Sequence, residues 1–153
     1  MCVVALAWQV HANWPLILIG NRDEYHARPA APLAAWDDGN ARLLTNRPQS
    51  QILTLGAGVH ALANEPVDSP CLRAERLQAA LSAVVDARTD PEGLLDTLTA
   101  EGDPALFLRG DVYGTRASTL VAVAADGTAN MIERRYEAGG HPIGTTALQF
   151  RLG

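Results

Sequence analysis

The chain has 153 residues, a formal net charge of −5 and a pI near 5.2. Hydrophobic residues make up 48% and charged residues 19%, which suits one globular domain with a real core and excludes a disordered chain. No basic patch of the kind that binds nucleic acid is present, the two cysteines and four histidines have neither disulfide nor metal spacing, and no apolar run reads as a signal peptide or a membrane span.

In chain order, residues 2–8 and 16–20 are near-continuous apolar runs and are predicted as the first two strands, covered on both faces. His11-Ala12-Asn13-Trp14-Pro15 between them reads as a turn, so the two strands lie antiparallel. Residues 25–32 form a loop interrupted by Pro29 and Pro32. Short strands are predicted at 42–46, 51–55 and 59–64, as a β-meander. Ser69 and Pro70 read as the N-cap and first position of a helix reaching about residue 86, with Leu72, Leu77, Ala80, Leu81, Val84 and Val85 inward and Cys71 in its first turn. Asp90-Pro91-Glu92 opens a second helix with Leu94, Leu95 and Leu98 inside. Residues 110–116 read as a loop, 117–124 and 129–136 as a hairpin about Asp126-Gly127, and 147–152 as a final edge strand. The class is α+β with mixed or antiparallel sheets.

The candidate chemistry lies where the first strand begins and the second ends. An antiparallel pairing brings Cys2 to the polar run Asn21-Arg22-Asp23-Glu24. Once Met1 is removed, Cys2 carries a thiol and a free α-amine. An α-amine titrates at about 7.7–8.0 and is partly neutral near neutral pH, so it can take the proton of its own thiol. A nearby Arg22 would favour the thiolate, and Asp23 or Glu24 could fix the ammonium form or orient a substrate amine. The alternative stays open that Cys2 merely fills a strand and that the polar run caps one.

Met1-Cys2 at the start, Asn21-Arg22-Asp23-Glu24 with Arg28-Pro29, and Leu62-Ala63-Asn64 with Asp68-Ser69-Pro70 occur in order along the chain. Tyr113-Gly114-Thr115-Arg116-Ala117-Ser118-Thr119 and Ile132-Glu133-Arg134-Arg135 follow them. This ordered set resembles the NRDE family, also called the transport-and-Golgi-organisation protein 2 family, over a single domain spanning 1–153. The resemblance implies an N-terminal-nucleophile hydrolase-like sandwich of two antiparallel sheets between helices, similar at a distance to the choloylglycine hydrolases. It implies that Cys2 is the nucleophile and that Arg22 and Asp23 organise the site. Asn64 would donate to an oxyanion, Arg116 would hold a substrate anion, and Asn21 and Glu24 would contact the substrate.

The chain departs from the family in length. The shortfall falls near 41–51, so the chain resembles an internally shortened member with incomplete sheets, where Asn46 could stand in for a second oxyanion donor. The implied activity is hydrolysis of an amide or thioester of a small or acyl-bearing molecule, in the cytoplasm, with no cofactor. The other reading is a non-enzymatic carrier of haem or acyl-lipid, with His11, His26 or His60 offering an axial nitrogen, or a shortened member without activity. Incomplete sheets with exposed edges would also favour a homo-oligomer.

Overall fold

Alternation along the two N-terminal apolar runs sets the architecture. In the computed structural model, which describes residues 2–34, 56–64 and 71–152, strand β1 (Val3–Trp8) pairs antiparallel with β2 (Leu16–Tyr25), Val3 opposite Asn21 and Trp8 opposite Leu16. Every second residue is buried: Val3, Ala5 and Ala7 on β1, and Ile17, Ile19, Asn21 and Asp23 on β2. The intervening residues Val4, Leu6, Leu16, Leu18, Arg22 and Glu24 face the other way and are half-buried. His11 closes the turn between the strands, its Nδ1 accepting the Asn13 and Trp14 backbone N–H groups at 3.3 and 3.2 Å.

Strand β3 (Gly58–Ala63) pairs with the other side of β1, Val3 opposite Ala63. Helix α1 (Leu72–Ala87) follows, then a 3-10 turn (Pro91–Gly93) that runs into the short helix α2 (Leu94–Thr97). Strands β4 (Tyr113–Val123), β5 (Thr128–Tyr136) and β6 (Pro142–Arg151) complete one antiparallel sheet, ordered β3-β1-β2-β4-β5-β6. The fold is α+β, as expected. Of the sandwich that the resemblance implies, the described residues contain this one six-stranded sheet with a helical layer on one face.

The core fills the space between that layer and the sheet. Helix α1 turns Ala74, Leu77 and Leu81 inward at spacings of three and four residues, and Leu94, Leu95, Leu98 and Leu106 pack beside them against Val3, Ala5, Ile17, Ile19 and Leu120. The alanines of β1 let the helix approach closely, and each buried leucine stabilises by roughly 1.5–3 kcal/mol.

Four boundaries differ from expectation, each for a physical reason. Strand β2 runs on through the polar tetrapeptide instead of ending at Gly20, because β4 pairs with it as far as Tyr25. The same pairing makes a strand of Tyr113 to Arg116, where glycine and aspartate content predicts a loop. Strand β6 begins at Pro142 because β5 supplies a partner along its full length. Helix α1 starts at Leu72 with Cys71 extended at the N-cap, so Cys71 precedes the first turn and Leu72 is 65% exposed instead of inward. The strands expected at 42–46 and 51–55, and the Ser69-Pro70 cap, lie outside the described residues.

The β4–β5 hairpin turns at Asp126-Gly127 as predicted, with Gly127 at φ +85°. Asp126 accepts the backbone N–H and the hydroxyl of Thr128 at 2.9 and 3.0 Å, and these bonds hold its carboxyl below its ordinary 3.8. A depressed carboxyl stabilises the fold above its ordinary value, and the increment is lost as pH falls through the folded value. Asp126→Ala is therefore expected to lower Tm slightly at neutral pH, the difference narrowing only as the pH falls from 3.8 through the lower folded value, which thermal melts across that range check.

Candidate active site at the head of the first strand

The register places one row of residues across the whole sheet. Continuing β1 one step beyond Val3 sets Cys2 between Asn64, which follows β3, and Arg22 on β2. Arg22 lies opposite Ala117 on β4, Ala117 opposite Arg135 on β5, and Arg135 opposite Gly144 on β6. All belong to the sheet face that the described helices leave uncovered.

Two contacts hold Cys2. Its backbone N–H donates to Asn64 Oδ1 at 2.5 Å, and its thiol donates to the Asp23 carbonyl oxygen at 3.6 Å. The first uses the carbonyl end of the Asn64 side chain and leaves its amide N–H groups to donate elsewhere. Cys2 and Cys71 are both free thiols, half-buried, on different elements.

The tetrapeptide does not act as one cluster, because strand alternation divides it. Asn21 and Asp23 enter the helical layer, 2% and 4% exposed. Asn21 Nδ2 donates to the Leu98 and Leu106 carbonyls at 2.9 and 2.8 Å, and its Oδ1 accepts the Ser118 hydroxyl at 2.6 Å. The Asp23 carboxylate accepts the Thr115 hydroxyl at 2.7 Å and the Arg73 guanidinium at 2.9 Å. Arg22 and Glu24 share the open face with Cys2, 3.8 Å apart. The Tyr25 backbone N–H and the Arg28 guanidinium, 2.6 Å away, hold the Glu24 carboxyl below its ordinary 4.5, so it is a fixed anion.

Arg116 reaches the open face through a bulge. The pairing slips between Arg22 and Asp23, opposite Ala117 and Thr115, and leaves Arg116 as the extra residue on β4. Its Nη1 donates to the Tyr25, His26 and Arg28 carbonyls at 3.1, 3.1 and 3.0 Å, clamping the turn after β2. Arg22, Arg116, Ala117 and Arg135 then line a cavity of about 280 Å³, with Glu133 and Tyr136 at its wall.

Sequence reasoning missed Arg73, Arg135 and Tyr136. Arg73 carried a signal: it stands four residues before Leu77, on the inner stripe of α1, where a cation requires a carboxylate partner. Arg135 and Tyr136 carried none, because Glu133-Arg134-Arg135 reads as a solvated strand end. Of the histidines, His11 sits in the β1–β2 turn, His26 follows β2, and His60 on β3 lies 3.0 Å from the Gly56 carbonyl oxygen, so the three do not converge. Asn46 lies outside the described residues, and no helix among those described is long and apolar enough to cross a membrane.

A family model described as Transport and Golgi organisation 2 matches residues 1–44 and 38–138. No curated protein matches the chain at a significant level.

Proposed function

The chain belongs to the Transport and Golgi organisation 2 family, and on that premise we propose that it is an N-terminal-nucleophile hydrolase acting on an amide or thioester of a small or acyl-bearing molecule. One observation carries the reading: the Cys2 nitrogen is held by Asn64 beside a thiol that faces the polar end of β2. With Met1 removed, that nitrogen is an α-amine. In its neutral form it takes the thiol proton, and the thiolate attacks the substrate carbonyl carbon. The developing oxyanion accepts from the Asn64 amide, a contact worth roughly 3–4 kcal/mol in comparable sites. The α-ammonium returns its proton to the leaving amine or thiol, and the amine then takes a proton from the water that releases the acid.

Arg22, the cross-strand neighbour of Cys2, favours the thiolate, and Arg116 holds the anionic end of the substrate. Asp23 acts indirectly: its carbonyl receives the thiol while its carboxylate ties the strand to α1. The two matched segments meet at 38–44, beside the shortfall at 41–51, and this supports an internally shortened member. Two free thiols fit a reducing compartment such as the cytoplasm. Self-association through β3 and β6, the edge strands among those described, fits their position in the sheet.

Intact mass of the purified protein is the first test, and loss of Met1 is expected. Cys2 should then alkylate faster than Cys71, and Cys2→Ala should lower thioester or amide hydrolysis by roughly 10⁴-fold or more. Retained Met1, or undiminished turnover in Cys2→Ala, would end the reading. A second reading, a carrier for an acyl-lipid or haem, is favoured by the half-exposed apolar residues Val4, Leu6, Leu18, Val121 and Leu148 on the open face. A haem titration without a Soret shift would leave only the acyl-lipid form of it.

A further inference from the structure

We infer that the cavity beside Cys2 is a binding subsite for an oxyanion, the carboxylate or phosphate end of the molecule on which the site acts. This rests on the hydrolase reading for its purpose but not for its geometry.

Among the described residues, three guanidinium groups, those of Arg22, Arg116 and Arg135, line the cavity with one carboxylate, Glu133, and Glu24 lies 3.8 Å from Arg22. The local balance is positive in a chain whose net charge is −5. Glu133 is itself engaged: its Oε1 accepts the Leu33 backbone N–H at 2.9 Å and lies 3.8 Å from Arg135 Nε. That bond, with the Arg116 clamp on the carbonyls of the turn, folds the chain over the cavity so that Ala30 and Ala31 form part of its wall.

Three donors remain unused. The Nε atoms of Arg116 and Arg135 and the hydroxyl of Tyr136 are buried with no hydrogen-bond partner among the described residues. Tyr136 is 5% exposed, and its ring packs edge-on against Phe107 with centroids 4.7 Å apart, which fixes the phenol in place. A buried donor without a partner destabilises a fold by about 1–3 kcal/mol, and all three belong to residues that line this cavity, which a ligand that only accepts would complement. A carboxylate or phosphate is such a ligand, and guanidinium forks match both.

The fit extends to size. Ala117 is the small lining residue between Arg22 and Arg135, and its methyl leaves the room. A volume of about 280 Å³ holds the acidic end of a molecule, at the lower limit of small-molecule sites. One strand spacing, about 5 Å, separates Arg22 from Cys2, so an anion seated here presents a neighbouring carbonyl to the thiol.

Binding can be read without turnover. Thermal melts of the full chain with inorganic phosphate and with glutarate, each against sodium chloride at equal ionic strength, should show a saturable rise in Tm. A rise of about 3–5 °C is expected at tenfold excess over Kd. Cys2→Ala should show the same rise, so that loss of catalysis does not count against binding. Arg135→Gln and Tyr136→Phe should each weaken binding about tenfold. If Arg135→Gln does not fold, as judged by circular dichroism, Tyr136→Phe decides, because it removes one hydroxyl only. A response to phosphate alone identifies a phosphoryl substrate, and a response to glutarate alone a carboxylate. No rise beyond chloride for either anion, or an equal rise in the two variants, overturns the assignment while leaving the Cys2 chemistry standing.

Discussion

Asp23→Ala is expected to lower the unfolding free energy by about 3–5 kcal/mol. The carboxylate is buried, and it joins three parts of the fold: β2, the Thr115 hydroxyl on β4, and Arg73 on α1 at 2.9 Å. Arg73 also donates to the Ala105 and Leu106 carbonyls at 2.9 and 2.7 Å, so it pins the strand to the segment before β4 as well. Truncation removes a countercharge from a guanidinium that is 14% exposed and takes the acceptor from a buried hydroxyl. Such a loss is a large share of the total stability of a domain, about 5–15 kcal/mol, and corresponds to a fall in Tm of roughly 6–20 °C. Urea unfolding measures it. Asp23→Asn should fall between, since it keeps an acceptor for Thr115 but not the charge. A change below about 1 kcal/mol for Asp23→Ala would put this pair in the class of exposed ion pairs and refute its role.

Asn21→Ala is the second large effect, at about 2–4 kcal/mol. The Asn21 amide bridges Leu98, at the end of α2, to Leu106, in the chain before β4, and its carbonyl receives Ser118. All three partners are at most 1% exposed, so truncation strands the Leu98 carbonyl and the Ser118 hydroxyl away from water and leaves the Leu106 carbonyl to Arg73 alone among the described donors. Asn21→Leu should be no better, because shape alone restores none of these bonds. Hydrogen exchange supplies a second readout: protection should fall in α2 and in the 98–106 segment before it falls in β1. Equal protection in the variant and the wild type would mean that apolar packing alone holds the helical layer.

These two residues show how far the sequence could be read. The apolar runs of β1 and β2, the hairpin at Asp126-Gly127 and the inner stripe of α1 are legible because burial imposes a period of two or of nearly four. The juxtaposition of Cys2 with the end of β2 follows from antiparallel pairing alone. What misleads is adjacency. Asn21, Arg22, Asp23 and Glu24 look like one catalytic cluster, yet the strand continues through them and sends alternate members to opposite faces. Polarity predicts the end of a strand only while the partners of buried polar groups are unknown, and here they come from residues 50 to 97 positions away. The bulge that re-aims Arg116 and the orphaned donors of Arg135 and Tyr136 are tertiary facts with no local pattern.

The position of β1 within the sheet has a practical consequence for making the protein. Its amino end lies in mid-sheet, hydrogen-bonded on both sides, about four strand spacings or 19 Å from β6. An affinity tag fused ahead of Met1 would turn the Cys2 amine into a permanent amide and thread its linker out between Asn64 and Arg22. On the mechanism proposed above, a sample prepared that way would be inert however well it folded. Purification handles, fluorophores and surface tethers belong after residue 152, where the chain leaves from the far edge.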